Sequence, residues 1–289
     1  MRIEHLTRAA IQVLLLAVAL FFVLPMVWLV LASTKSPAGL IRDNPLSPGS
    51  IDALLTNWRH LMSFQDGAVL TWMTNSVVYA GLAVTLTLLV SIPAGYAMAL
   101  MSFKGRRLLL VVTLVVMLMP ATALVLPIFL ELSYVGLVNQ AASVVLPMSF
   151  FPFGVYLTYI YFSTSVPGEL LDAARLDGCS ESATFARVAL PLAKPVVALV
   201  AFFSFVQNWN NFFLPYVMLP DSDHYPMQVG LTQMLAATPT FNPVVGANAE
   251  VQPPELVLAT LLSIAPVLLV FLFSQRFLVA GMTAGATKG

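Results

Sequence analysis

Residues 165–195 form a polar segment between two long apolar runs, and this segment restricts the fold more than any other feature of the chain. Seven charged side chains lie in it, although only 9% of the chain is charged: Glu169, Asp172, Arg175, Asp177, Glu181, Arg187 and Lys194. Charges at the centre of a bilayer are costly, and irregular backbone facing lipid leaves polar groups without partners. We therefore expect a loop outside the membrane, between membrane-spanning helices.

Within this segment the residues predict a helix, a glycine bend and a second helix. Pro167 suits the first turn of a helix, where its missing N–H is not needed. Glu169 follows it, where an acidic group complements the helix dipole. Gly178 is placed to end the first helix, and Ser180 can cap a second helix that ends near Pro191.

The same residues resemble a known motif. Asp172-Ala173-Ala174-x-x-Asp177-Gly178-Cys179, then eight residues, then Val188-x-Leu190-Pro191, is similar to the EAA loop of ABC importer membrane subunits. The family pattern is Glu-Ala-Ala-x-x-Asp-Gly-Ala, the same interval, and Ile-x-Leu-Pro, so the spacing matches throughout.

The resemblance implies that this loop contacts an ATPase subunit. The residues that it places in this coupling role are Glu169, Asp172, Ala173, Ala174, Arg175, Asp177, Gly178, Leu190 and Pro191. Asp172, which replaces the family's Glu, would pair with a cationic group on the ATPase. Asp177 and Gly178 would shape the bend.

The composition is typical of a membrane protein, since 59% of the residues are hydrophobic and the mean hydropathy is +0.90. The formal net charge of zero gives no reason to expect nucleic-acid binding. The single cysteine excludes a disulfide framework, and no Gly-Lys dipeptide is present to form a P-loop. We expect no metal site and no cofactor in this chain, so ATP and Mg would bind to partner subunits.

Six apolar runs predict an all-α integral membrane protein with six transmembrane helices. The spans are expected at about residues 9–32, 69–101, 108–130, 141–162, 196–219 and 255–280. The first run could also be a signal peptide, but it exceeds the usual apolar core of about 7–15 residues. No soluble domain is visible, so residues 1–289 are expected to form a single permease domain.

Three long loops are expected between the spans. Outer loops are expected at 33–68 and 220–254, and the polar loop is expected to cover 163–195. In the first outer loop, Ser50 is placed to cap an amphipathic helix from Ile51 to Met62. Its apolar face would lie on the outer membrane surface or under a partner, or would pack against the helix bundle.

The positive charges predict the orientation. Ten of the 13 basic residues fall on the side shared by both termini: Arg2, Arg8, Lys104, Arg106, Arg107, Arg175, Arg187, Lys194, Arg276 and Lys288. Cytoplasmic loops carry the excess of Lys and Arg, so this side is expected to be cytoplasmic, with the protein in the cell membrane.

Two further stretches resemble the maltose-type sugar permeases among the ABC importers. One runs from Phe205 to Phe212 and is followed by Pro215, and the other runs from Gln275 to Gly289. The likeness implies the type I importer fold, a second homologous permease, two ABC ATPase subunits, an extracytoplasmic solute-binding protein and a sugar substrate.

One polar cluster lies at the end of the fifth apolar run: Gln207, Asn208, Trp209, Asn210 and Asn211. Amides and an aromatic face are suited to binding a sugar. Such amides also join helices to one another, so the cluster could line the substrate pathway or form a helix contact.

Two other classes of function were weighed. An ion-gradient-driven secondary transporter would be expected to carry acidic residues inside its spans, and an intramembrane enzyme would need paired catalytic groups there. Neither is found between the ends of the expected spans. Di- or oligosaccharides or a sugar-like solute such as glycerol 3-phosphate would fit the family, and the lack of a basic cluster in the spans favours a neutral sugar.

Overall fold

The computed structural model describes residues 2–242, 244 and 250–284, with side chains described for 7–242, 244 and 250–275. Over these residues the chain is helical and contains no strand. The helices are α1 (Arg2–Ser33), α2 (Pro37–Arg42), α3 (Ile51–Ser63), α4 (Ala68–Leu100), α5 (Arg106–Met117), α6 (Ala121–Tyr134), α7 (Ala141–Ser149), α8 (Pro152–Thr164), α9 (Gly168–Leu176), α10 (Glu181–Thr184), α11 (Leu190–Leu192), α12 (Lys194–Trp209), α13 (Phe213–Met218), α14 (Met227–Ala236) and α15 (Pro253–Ala284).

Four helical segments are long and apolar enough to cross a membrane: Thr7–Ser33, Ile51–Leu100, Ala141–Thr164 and Pro253–Gln275. Two bent helix pairs pass the same test when each is taken as one span. In these pairs α5 meets α6 at 105°, and the segment Glu181–Leu192 meets α12 at 78°. The chain is thus an all-α membrane protein with four to six spans among its described residues, and the count of six stays a prediction.

The apolar runs are interrupted more often than their hydropathy indicates. The predicted third span is divided at residues 118–120, the fourth at 150–151 and the fifth at 210–212. After the first two breaks, Pro120 is the N-cap of α6 and Pro152 is the first residue of α8, because a proline disfavours helical backbone at the residue before it. By contrast, α4 continues through Pro93 without a break.

The chain divides into two compact units, Met1–Leu70 with Gly230–Ala265, and Thr71–Val229 with Pro266–Gly289. In the first unit, the Ser50 hydroxyl accepts a hydrogen bond of 3.1 Å from the Ala53 N–H, which confirms the predicted cap of α3. Leu61 of this helix is buried, whereas Ile51 and Trp58 are exposed. The apolar face of α3 is therefore only partly covered within the unit.

The stretch 220–254, expected to be a polar loop, contains the helix α14, and α15 begins at Pro253. The sequence prediction missed α14 because polar residues surround it. Its apolar residues Met227, Leu231 and Met234 nevertheless follow helical spacing. The Glu255 carboxylate accepts a hydrogen bond of 2.9 Å from the Gln252 N–H and so caps the start of α15.

Apolar packing in the second unit forms two clusters. One joins the C-terminal part of α4 to α8, to the polar segment and to α12, through Ile92, Tyr96, Phe151, Phe162, Val166, Leu171, Ala189, Ala193, Val196 and Val200. The other joins α4 to α6, α7 and α13, through Tyr79, Ala83, Val125, Val144, Val145, Met148, Leu214, Met218 and Leu219. The first cluster packs the polar segment against α4, α8 and α12. The second packs α6, α7 and α13, which border the breaks, against α4.

Candidate functional sites

The first helix of the polar segment, α9, ends in a glycine bend as predicted. Gly178 has a φ of +83°, a left-handed conformation that glycine adopts without steric cost. Its N–H donates to the Arg175 carbonyl at 3.0 Å, and the Cys179 N–H donates to the Ala174 carbonyl at 3.0 Å. This pair of bonds is the Schellman motif, which satisfies carbonyls that the helix end leaves free.

The second helix is confirmed at its start and at its end. Ser180 caps α10 by accepting a hydrogen bond of 3.3 Å from the Ala183 N–H. The helical path was expected to stop near Pro191, and it ends one residue later, at Leu192. The preceding turn, Phe185–Ala189, is widened into a π-helix. A wider turn accommodates Pro191, which has no N–H for the carbonyl four residues earlier and would crowd it.

Opposite faces of α9 have different environments. Leu171 and Ala174 are buried and pack towards the apolar cluster of the second unit. The other face is exposed and carries Glu169, Leu170, Asp172, Ala173 and Leu176. Leu170 is 47% exposed and Leu176 is 89% exposed, so this face presents apolar side chains to solvent beside the acidic groups of Glu169 and Asp172.

Of the remaining residues predicted for coupling, Leu190 packs partly buried against the cluster, and Pro191 is exposed. Asp177 and Gly178 are exposed at the bend, where Asp177 is the C-terminal cap of α9. The structure thus gathers the predicted set into one helix–bend–helix unit.

An ionic network crosses the bend, and Arg175 is at its centre. The Arg175 guanidinium donates to Asp172 Oδ1 at 2.8 Å and to the two carboxylate oxygens of Glu181 at 3.0 and 3.2 Å. The Tyr96 hydroxyl of α4 donates to Glu181 Oε1 at 2.6 Å. Asp172, expected to pair with a cation on a partner, therefore already has one partner within the chain, while its side chain remains 70% exposed.

The bridge favours the charged forms of Arg175 and Glu181. Hydrogen bonds from Arg175 and then from Tyr96 lower the pKa of the Glu181 carboxyl below its usual range. Acceptors on Glu181 and then Asp172 raise the pKa of the Arg175 guanidinium. The bridge across the bend is consequently ionised throughout the physiological pH range.

Sequence reasoning missed Glu181 and Tyr96 as members of this site. Glu181 follows the cap Ser180 directly, so its local role at a helix start was readable. Tyr96 lies 85 residues away in the chain from its partner. No local pattern could pair these two residues, because their contact depends on how α4 packs.

The second candidate site is a groove in the second unit, with a volume of about 470 Å³. Its walls are Val116, Met117, Met119, Ala121, Thr122, Leu124, Val125, Ile128, Pro147, Met148, Phe150, Phe151, Pro152, Phe153, Gln207, Asn208, Asn211, Phe213 and Leu214. Three breaks in the helices border it, at Met119, at Phe150–Phe151 and at Asn211. Helix ends leave backbone groups without intrahelical partners, so breaks of this kind are where polar ligands bind between apolar helices.

Only three of the five residues in the predicted polar cluster line this groove. Gln207, Asn208 and Asn211 line it, whereas Asn210 is exposed outside the lining. Trp209 is 3% exposed and stacks on Phe205, with ring centroids 5.5 Å apart. In this conformation the indole is covered, and the aromatic surfaces of the groove come from phenylalanines.

Asn208 lines the groove and also takes part in a helix contact. Besides lining the groove, its amide donates to the Ser204 hydroxyl at 3.3 Å. Ser204 donates to Thr87 of α4 at 3.2 Å, and Thr87 donates to the Ser149 carbonyl at 2.9 Å. A chain of hydrogen bonds thus runs from the groove to α4 and to the end of α7.

The described lining of the groove contains amides and a hydroxyl but no ionisable side chain. Elsewhere in the described residues, no group of three His, Cys, Asp or Glu side chains could hold a metal ion. The C-terminal stretch that resembled a family signature lies, after Gln275, outside the described side chains.

Comparison with known proteins gives one family. The profile of the family described as "Binding-protein-dependent transport system inner membrane component" matches residues 91–284. This match includes the helix–bend–helix segment and the whole wall of the groove.

Relatives match over nearly the full length. The arabinooligosaccharides transport system permease protein AraQ of Halalkalibacterium halodurans is 33% identical over 94% of this chain and 93% of its own. The lactose transport system permease protein LacG of Rhizobium radiobacter is 31% identical over 94% of each chain. The diacetylchitobiose uptake system permease protein NgcG of Streptomyces coelicolor is 29% identical over 95% of this chain and 87% of its own.

The fold is similar to a solved structure. A chain of a bacterial ABC transporter involved in the import of the acidic polysaccharide alginate superposes with a TM-score of 0.82 and 25% identity. The superposition covers 96% of this chain and 98% of that one.

Proposed function

The chain belongs to the family of binding-protein-dependent transport system inner membrane components, and we propose that it is a permease subunit that carries a sugar into the cytoplasm. It is a multi-pass protein of the cell membrane. In this proposal it pairs with a second homologous permease and two ABC ATPase subunits, which bind ATP and Mg and hydrolyse the nucleotide. An extracytoplasmic solute-binding protein delivers the sugar.

The exposed face of α9 is the observation that carries the proposal. Leu170, Ala173 and Leu176 recur at helical spacing, and the two leucines are left 47% and 89% exposed. This segment is too polar to lie in the membrane, so lipid does not cover these side chains. A groove on an ATPase subunit would cover them, and it would also offer a cation to the exposed carboxylates of Glu169 and Asp172.

The opposite face makes α9 suitable for transmitting movement. Leu171 is buried in the cluster that includes residues of α4, α8 and α12, and Ala174 is buried on the same face of α9. The bend at Gly178 is held by its Schellman hydrogen bonds and by the Arg175–Glu181 bridge. An ATPase that moves α9 would therefore displace the packed ends of these helices, because tightly packed interfaces move as rigid bodies.

The groove supports a neutral saccharide as the substrate. Amides of Gln207, Asn208 and Asn211 can donate to and accept from hydroxyl groups. The rings of Phe150 and Phe213, which are 64% and 43% exposed, offer faces for the apolar side of a sugar ring. A phosphate or carboxylate would find no cation in the described lining, so glycerol 3-phosphate or an acidic sugar fits less well.

In the proposed orientation both termini and the 163–195 loop lie in the cytoplasm. The excess of Lys and Arg on that side supports this orientation. The ATPase then meets α9 on the cytoplasmic face, and the binding protein meets the opposite face.

Uptake into proteoliposomes tests the proposal. The complete complex is reconstituted with its binding protein, and the ligand retained by that binding protein is used as the labelled solute. We expect uptake that requires ATP, is blocked by vanadate and persists when the proton gradient is collapsed. Uptake without ATP that a protonophore abolishes would contradict the proposal and indicate an ion-driven transporter.

A further inference from the structure

One unbroken helix, α4, makes side-chain hydrogen bonds at three levels along its length within the second unit. Near its C-terminal end it reaches the α9–α10 pair through Tyr96, and in its middle it reaches the groove through Thr87. Nearer its N-terminal end, a row of side chains holds the loop at residues 222–227. No functional role is assigned to α4 by the family motif in the polar segment.

At the C-terminal level, the contact is short, and its Tyr96 end is buried. Tyr96 is 3% exposed, and its ring packs edge-on against Phe162, with centroids 5.3 Å apart, and tilted against Phe185 at 4.9 Å. This packing leaves the hydroxyl facing Glu181 Oε1 at 2.6 Å. Arg175 holds the same carboxylate from the other side with two N–H groups.

At the middle level, Thr87 is fully buried and accepts the hydrogen bond from Ser204, which in turn accepts from Asn208 in the wall of the groove. Thr87 lies nine residues before Tyr96, which corresponds to about 14 Å along a helix. A movement of α4 along its axis therefore reaches a side chain that would contact the sugar.

At the third level, α4 binds backbone carbonyls. The Trp72 indole donates to the Ser222 carbonyl at 2.9 Å, and the Tyr79 hydroxyl donates to the His224 carbonyl at 3.0 Å. The Asn75 amide donates to two carbonyls of the same loop, and the Ser76 hydroxyl accepts from the Met227 N–H at 2.7 Å. These bonds fix the loop to the helix whatever its side chains are.

We propose that Tyr96 is a positioning residue, whose hydroxyl bond to Glu181 joins the α9–α10 pair to α4 and so couples ATPase movement to the groove. This inference rests on the proposed function. The apolar contacts of Leu171 hold α9 against the cluster but have no preferred direction. A hydrogen bond to a charged carboxylate has a fixed direction. The bond between Tyr96 and Glu181 therefore keeps α4 from shifting along its axis relative to the α9–α10 pair.

The test measures ATP hydrolysed per sugar transported by the complete complex in proteoliposomes. Tyr96→Phe removes the hydroxyl and keeps the packed ring, and Tyr159→Phe on α8 is the matched control. We expect Tyr96→Phe complexes to assemble and to hydrolyse ATP, with a ratio of ATP to sugar raised about fivefold or more. Tyr159→Phe should keep the wild-type ratio.

A double substitution separates coupling from simple damage. Glu181→Ala, which removes the acceptor, should also raise the ratio, and Tyr96→Phe with Glu181→Ala should raise it no further than Glu181→Ala alone, since the carboxylate that Tyr96 binds is then already absent. If Tyr96→Phe reduces assembly, Glu181→Ala supplies the same readout from the other end of the bond.

A wild-type ratio in both single variants would overturn the positioning role and leave the proposed function intact. A proportional loss of ATP hydrolysis and transport, with the ratio unchanged, would overturn it too and would indicate a purely structural bond. Failure of the proposed function would look different, because the unmodified complex itself would then show no ATP-dependent uptake.

Discussion

Arg175 and Glu181 face each other across the Gly178 bend, joined by two N–H···O contacts of 3.0 and 3.2 Å. Five residues separate these two side chains in the chain, and the left-handed backbone of Gly178 lies between them. The side-chain bridge and the backbone hydrogen bonds of the Schellman motif both restrain the angle between α9 and α10. The pair can therefore act as one rigid part.

The left-handed backbone makes Gly178 sensitive to any side chain. Gly178→Ala should destabilise the bend by about 1 kcal/mol, because a Cβ is disfavoured in that conformation even though the space around it is open. Limited proteolysis of the reconstituted complex should show faster cleavage between α9 and α10. The control is Gly168→Ala, where the space is also open and no positive φ occurs. Equal cleavage rates in the two variants would refute the role of the bend.

Charge reversal at Asp172 should uncouple transport without preventing insertion. Asp172→Lys removes an acceptor from Arg175 and places two cations three residues apart on an exposed helix face. We expect normal amounts of protein in the membrane and sugar uptake lowered about tenfold or more, since charge-assisted contacts of this kind are worth roughly 1.5–3 kcal/mol. Asp172→Asn, which keeps an acceptor, should be milder. Wild-type uptake coupled to ATP in Asp172→Lys would remove Asp172 from the coupling role.

The pKa of Glu181 sets the pH range in which the bridge contributes. Because the folded pKa is lowered, the contribution is fully present above the ordinary glutamate pKa of about 4.3 and is lost as the pH falls through the lower folded value. Hydrogen exchange of residues 168–192 should therefore be equally protected at pH 7 and pH 5. Glu181→Gln should weaken protection at both pH values. Loss of protection in the wild type between pH 7 and pH 5 would show that the bridge does not hold the pair.

Close packing of α4 on α8 depends on Gly95. A Cβ at this position would lie 2.5 Å from the Thr158 Cβ and 2.8 Å from the Tyr159 backbone nitrogen. Gly95→Ala should lower the stability of the purified protein by about 1–3 kcal/mol, as overpacking does. Gly81→Ala on the same helix meets nothing within 4 Å and should be neutral or slightly stabilising. Thermal unfolding in detergent compares the two, and equal melting temperatures would contradict the close contact.

Amides in the groove should affect transport without affecting the ATPase contact. Gln207→Ala and Asn211→Ala each remove hydrogen-bonding groups from the lining, and each should slow sugar uptake roughly tenfold, the effect of losing about 1.4 kcal/mol. Asn210→Ala, outside the lining, is the control. Normal uptake in the first two variants, or an equal defect in the control, would show that the groove is not the pathway.

Local chemistry made the polar segment predictable from the sequence. Gly178 and Ser180 act on backbone groups a few residues away, so the bend and the cap of α10 could be read directly. Pro167, expected in the first turn of the first helix, is instead the N-cap that precedes α9. The Tyr96–Glu181 bond could not, because it depends on the packing of distant helices. The turn at Phe185–Ala189 was also missed, because a single π-turn shifts the helical register by about one residue, and the apolar pattern of so short a helix does not reveal that shift.

The groove was the least predictable part. Hydropathy stays high through residues 118–120 and 150–151, so the sequence indicates continuous spans where the backbone is broken. The amide cluster was recognised, but its division was not. Which of five consecutive side chains line a cavity depends on where α12 ends, at the break at 210–212. Trp209 instead stacks on Phe205, one turn earlier in the same helix.

A photocrosslink from α9 to the ATPase tests the central claim most directly. A benzophenone amino acid replaces Leu176, the most exposed apolar residue of α9, in the assembled complex, and a second complex carries it at Val111 on the apolar helix α5. On illumination, the probe at position 176 is expected to form an adduct with the ATPase subunit, and the probe at position 111 is expected to form none. An adduct of position 176 with the binding protein, or no adduct with the ATPase, would contradict the account.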